Sequence, residues 1–78
     1  MEARIKVLYF GPAREITGTD SEEFLAGDTS SLRSMVLNKY PRMVALPFLL
    51  ALNSRMLKED TFLKDNDIVA ILPPFEGG

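Results

Sequence analysis

The stretch that decides the fold is IVAIL, Ile68 to Leu72, followed at once by Pro73 and Pro74. Five consecutive apolar residues, three of them β-branched, read as a strand. A run with no polar alternation predicts a strand buried on both faces. Pro73 has no N–H to give to a ladder, so pairing should stop there. A strand needs partner strands.

Those neighbours are found by moving outward. Upstream, Lys58 to Asp67 is charged and turn-rich, and Phe48 to Leu52 is a second apolar run that ends in the Asn53-Ser54 turn. Met56-Leu57 is a short return strand across that turn. At the start of the chain, Ile5 to Phe10 (IKVLYF) carries one charge among β-branched and aromatic residues, and predicts a strand near the middle of a sheet. Gly11 ends it. Pro12 suits a first helical position, and Ala13 to Thr17 can form a turn or two before Gly18. Ser21 to Leu25 is polar at its start and reads as an edge strand.

One helix stands out. Asp28, Thr29, Ser30 and Ser31 are all N-cap residues. After them Leu32, Met35, Val36 and Tyr40 recur on one helical face. Lys39 lies in the last turn, where a cation suits the dipole, and Pro41 stops the helix. Pro41 to Pro47 reads as a loop. The expected class is α+β: a mixed sheet of four to five strands with one main helix packed across it, the β-grasp or ubiquitin-like arrangement. The expected organisation is one domain over 1–78 with an extended tail over 73–78.

Composition excludes much. The chain has 78 residues, no cysteine, no histidine and a net charge of −2. Disulfides, thiolate metal sites and a histidine base are ruled out. The nine basic residues form no block, which argues against a nucleic-acid partner. The apolar run Val7 to Phe10 is too short for a signal peptide core or a membrane span, so no membrane partner and a cytoplasmic location are expected. The carboxylates Glu22-Glu23, Glu59-Asp60 and Asp65 with Asp67 read as solvated surface. Asp65-Asn66-Asp67 offers too few oxygens for calcium, and no glycine-rich phosphate loop is present. No cofactor and no metal are expected on this chain.

The tail is what remains. Two final glycines arise by chance on the order of half a percent of the time. Gly77-Gly78 can pass through a narrow channel and leave the α-carboxylate unhindered. Pro73-Pro74 stiffen the base. A stiff stalk with a slim tip suits delivery of a carboxyl carbon into another protein's active site. A free carboxylate must first be activated, and with no nucleotide site here a partner would form the acyl adenylate from ATP. The activated carbonyl could then take sulfur or a lysine amine.

Read together, IKVLYFGPAREITG (5–18), TSSLRSMVLNKYP (29–41), LALNSRML (50–57) and TFLKDNDIVAILPPFEGG (61–78) resemble the β-grasp sulfur-carrier family, on its branch of molybdopterin synthase small subunits. The family also contains the thiamin-pathway carrier, and Phe10 to Gly18 favours the molybdopterin branch. Asn66 stands where the family usually has glycine, and asparagine tolerates the left-handed conformation such a turn needs. The resemblance implies that Gly78 is adenylated by a ubiquitin-activating-type adenylyltransferase and then thiocarboxylated by a sulfur donor protein. It implies that the tail enters the large synthase subunit and donates sulfur to a cyclic pyranopterin, forming the dithiolene. Two carriers would sit on a dimer of large subunits, a heterotetramer whose catalytic residues lie on the large subunit. Gly77 would give Gly78 access. Met56, Leu72, Pro74 and Phe75 would belong to the docking surface, and Arg14 would meet the activating enzyme. Against this, Met56 and Leu72 could fill the core, and Arg14 could be plain surface. Three other readings stay open: a carrier for thiamin or tRNA thiolation, a ubiquitin-like protein modifier, and a passive β-grasp binding module.

Overall fold

A computed structural model describes residues 2–74. Five strands form one mixed sheet: β1 (Ala3–Tyr9), β2 (Ser21–Ala26), β3 (Leu49–Leu52), β4 (Arg55–Met56) and β5 (Ile68–Leu72). Their order is β2-β1-β5-β3-β4. β1 and β5 are parallel, with Val7 beside Val69, and the other pairings are antiparallel. The IVAIL strand is therefore central, and the β-grasp reading holds.

Its burial is not as expected. Val69 and Ile71 are buried, but Ile68 is 41% exposed and Ala70 and Leu72 are only half-buried. The helices lie on one face of the sheet alone, and among the described residues no second layer covers the other face. An unbroken apolar run indicates two-sided burial only where a second layer exists.

The covered face carries Ile5, Val7, Tyr9, Leu50, Val69 and Ile71. Against it lies α2 (Thr29–Lys39), which contributes Leu32 and Val36. Each such side chain contributes about 1.5–3 kcal/mol through removal from water. α2 begins at the cap cluster: the Asp28 carboxylate accepts the Ser31 N–H at 2.7 Å. The Tyr40 N–H closes the last turn on Val36 at 2.8 Å, and Pro41 prevents continuation. The segment expected as a loop contains a 3₁₀ turn, Pro41–Ala45, whose Met43 is fully buried. A five-residue turn shows no periodicity to read, which is why the sequence hid it. α1 (Pro12–Thr17) is the short helix anticipated after Gly11, and Gly18 ends it at φ +75°.

Four carboxylates read as solvated accept hydrogen bonds instead: Asp65 from the Arg4 N–H at 2.8 Å, Asp60 from Thr29 Oγ1 at 3.3 Å, and, more extensively, Glu22 and Asp67. Glu22 accepts hydrogen bonds from Tyr9 Oη at 2.7 Å and Tyr40 Oη at 2.9 Å, and pairs with Lys39 Nζ. The Tyr9 and Tyr40 rings meet edge to face at 6.1 Å. Burial alone would raise the Glu22 pKa, but the bonds from Lys39, Tyr9 and Tyr40 outweigh it and lower it. Burial, then the Glu22 bond, raises the Tyr9 phenol above its ordinary value. This cluster ties β1 and β2 to the end of α2. Asp67 is buried and accepts from Asn53 Nδ2 at 3.0 Å and the Lys64 N–H at 2.8 Å. The Asn53 bond, then the Lys64 one, lowers its pKa. Asn53 also accepts the Ile68 N–H at 2.9 Å, so one side chain joins the β3–β4 turn to the start of β5. Asn66 stands at φ +73°, the left-handed conformation expected of it.

Candidate functional site: the tail exit and the open face

The tail leaves the sheet beside Gly11. The Phe10 N–H bonds to the Ile71 carbonyl at 3.2 Å, the last rung before Pro73. Gly11 has φ +56° and ψ −132°, a conformation closed to residues with a Cβ. A Cβ built there would stand 3.6 Å from Pro73 Cγ. The turn that ends β1 and the proline that ends β5 therefore sit against each other, and the chain beyond them starts from a fixed point. Phe75, Gly77 and Gly78, and Glu76 between them, lie outside the described residues. Pro74 is half-buried at the exit.

The pleat makes the uncovered face of the sheet legible from register. Leu8 pairs with Ala70, Ala70 with Ala51, and Ala51 with Met56, so one apolar row crosses four strands. Leu72 and Leu49 form the next row towards the tail exit. Ile68 stands on the other side, next to Lys6. Met56 is 49% exposed and Leu49 38% exposed, with Phe10 equally open at the end of β1. Of the expected docking residues, Met56 and Leu72 thus lie on this open face and neither joins the buried core. The sequence reading missed Leu8, Leu49, Ile68 and Ala70. Their parity with Met56 was the available signal, but it becomes usable only once the strand register is known.

Arg14 lies apart from this apolar row. It is exposed on α1 and its Nε pairs with Asp20 Oδ1 at 3.0 Å. A hollow lined by Gly11, Pro12, Arg14, Glu15, Ile16 and Arg42 lies beside the tail exit, and brings a second arginine there that sequence reading did not single out. Its signal was invisible because Arg42 belongs to the 3₁₀ turn.

Among the described residues no three His, Cys, Asp or Glu side chains converge on a metal position. The chain has no histidine to activate a serine or threonine. Every buried side-chain nitrogen and oxygen among the described residues has a partner, so none points unused into a cavity. Among those residues no helix is long and apolar enough to cross a membrane. What the geometry presents is an apolar face that runs to the foot of a tail.

The five-strand mixed sheet with one main helix packed across it defines the class, a β-grasp, ubiquitin-like protein. The ThiS family model matches residues 7–78, and the chain belongs to that family. It is similar to the molybdopterin synthase sulfur carrier subunit of Chlamydomonas reinhardtii, with 37% identity over 96% of this chain and 99% of the relative. The protein of that name from Escherichia coli K12 is 38% identical over 95% of this chain and 99% of its own. Among solved structures, a complex of subunits 1 and 2 of molybdopterin-converting factor from Helicobacter pylori contains a similar chain. There the TM-score is 0.68 at 28% identity, over 96% of this chain and 99% of that one.

Proposed function

We propose that this chain is a sulfur-carrier subunit of molybdopterin synthase. One observation carries most weight: exposed or half-buried apolar side chains, Met56, Leu49, Ala70, Leu72 and Phe10 among them, stand on the uncovered sheet face and continue to the point where the chain leaves β5 for its Gly-Gly end. Such an arrangement suits a partner that grips the sheet and draws the tail into its own active site. The relatives' names and the Helicobacter pylori complex support a large subunit as that partner.

In this reading the chemistry takes place at the carboxyl carbon of Gly78. An adenylyltransferase joins that carboxylate to the α-phosphate of ATP and releases pyrophosphate. The outer sulfur of a persulfide on a donor protein then attacks the acyl adenylate and AMP departs, and a partner's thiol cleaves the resulting acyl disulfide, forming a disulfide with the donor sulfur and releasing the thiocarboxylate. In the large subunit its sulfur attacks the pyranopterin, and water later returns Gly78 to a carboxylate. Gly77 contributes slimness. Leu72, Met56, Pro74 and Phe75 contribute grip, and Arg14 a charged contact for the activating enzyme. A cytoplasmic location and a heterotetramer of two small and two large subunits belong to the same proposal.

The test is the mass of the tryptic peptide Asp65 to Gly78 from protein isolated in its native host. This peptide contains no methionine, so oxidation of the four methionines cannot imitate the signal. A sulfur-for-oxygen shift at Gly78 is expected. A plain carboxylate in cells making the cofactor would refute the carrier reading.

A further inference from the structure

β2 is the outer strand of the sheet on the side away from β3 and β4. The Tyr9 N–H donates to the Asp20 carbonyl at 2.9 Å, whereas the Lys6 N–H turns the other way to Asp67 at 3.0 Å. With Val7 opposite Glu22 and Ile5 opposite Phe24, the backbone groups of Glu22, Phe24 and Ala26 face β1. Those of Ser21, Glu23 and Leu25 face outward. Thr19 Oγ1 donates to the Ser21 carbonyl at 3.1 Å. The N–H and C=O of Glu23 and Leu25 have no hydrogen-bond partner among the described residues.

Two of the devices that usually blunt a free edge, proline and a bulge, are missing, and the charges of β2 are the inward-turned Glu22 and the exposed Glu23. β2 holds no proline, and its register with β1 runs through six consecutive pairs without a bulge. Its exposed side chains are Glu23, opposite Lys6, and Leu25, opposite Arg4 and 52% exposed. A shallow hollow lined by Arg4, Glu23, Phe24 and Leu25 lies along this edge, where the side chains of one more strand would rest.

We propose that the β2 edge accepts an extended segment of another protein as a sixth, antiparallel strand. Glu23 and Leu25 specify its chemistry. The residue opposite Leu25 is apolar, and the residue opposite Glu23, two positions later in an antiparallel partner, is lysine or arginine. A second copy of this chain fits less well. β2 has no cation, so in any pleat-matched pairing Glu23 would meet Ser21, Glu23 or Leu25 of the copy. Leu25 lies at the end of the sheet opposite Leu72, so this edge is separate from the open-face rows by the tail. The inference does not rest on the sulfur-carrier reading.

The experiment titrates the full, nitrogen-15-labelled chain with a capped hexapeptide alternating threonine with valine, lysine and valine, the lysine two residues after the first valine. The amide resonances of Glu23 and Leu25 should shift and their hydrogen exchange should slow. Replacing the peptide's lysine by glutamate should weaken binding about two- to fivefold, the size of a cross-strand charge pair. Glu23→Lys should reverse that preference. Absence of any change at Glu23 and Leu25 with millimolar peptide would overturn the proposal. So would shifts confined to Leu8, Ala70 and Leu72. Concentration-dependent protection of Glu23 and Leu25 in the free chain would assign the edge to a second copy instead.

Discussion

The two faces of the sheet are built from the same strands and differ only in parity. On β5, Val69 and Ile71 point to α2 and are buried, while Ile68, Ala70 and Leu72 point away and stay accessible. On β1, Ile5 and Val7 are buried, and Leu8, only one position further, is not. Both faces are apolar near the tail. Hydrophobicity alone therefore does not distinguish a residue that holds the fold from one available to a partner. The layer above it does.

The sharpest division should appear at the tail. Removal of Gly77 and Gly78 is expected to abolish sulfur transfer in a reconstituted assay. The melting temperature should stay nearly unchanged, since residues past the last strand add little to the core. If transfer survives the deletion, the open face is serving some other kind of association.

Next in size is the covered face. Leu32→Ala opens a cavity beneath α2 and should cost about 2–5 kcal/mol in urea unfolding. On the open face, Met56→Ala should cost under about 0.5 kcal/mol of stability. Its effect should show in titration calorimetry with the large subunit, as a loss of about 1 kcal/mol or more in affinity. If the two variants behaved alike in unfolding, the distinction between the faces would fail.

The Glu22 cluster should respond to pH. Glu22 and Asp67 have lowered pKa values in the fold, so the stability they contribute is present at neutral pH. It is lost as pH falls from their ordinary range through the lowered values. Tyr9 is raised, so its contribution holds below its ordinary value and fades at higher pH. A thermal-melt series should therefore show a plateau at neutral pH with a decline on both sides. Glu22→Ala, which leaves the Tyr9 hydroxyl without its acceptor, should cost about 1–3 kcal/mol at neutral pH. A flat acid limb in the wild type would mean that the cluster contributes little.

Much of this was readable before any coordinates. α2 was legible because an N-cap cluster, a periodic apolar stripe and a terminating proline all agree. IVAIL was legible as a strand from its β-branched composition, but its central place and its one-sided burial were not. What the sequence concealed is non-local. Glu22 looks like its neighbour Glu23, and only the approach of Tyr9, Lys39 and Tyr40 separates them. Met43 gives no clue to its burial because a 3₁₀ turn has no stripe. Met56 and Leu72 were ambiguous between core and surface, and the strand register places both on the open face.

The parallel pairing of β1 with β5 has a kinetic consequence. Its rungs join Lys6 to Ile68 and Tyr9 to Ile71, residues from nearly opposite ends of the described chain. Loop-closure entropy must be met before those contacts return anything, so this ladder is a slow step for so small a domain. Until Leu72 has been synthesised, β1 lacks its central neighbour and β3 has only the two residues of β4 to pair with. During that interval a nascent chain shows two apolar strands to anything that binds unfolded protein. The seat that Pro73 finds against Gly11 is assembled by the same closing event, so presentation of the tail and completion of folding are one step in time.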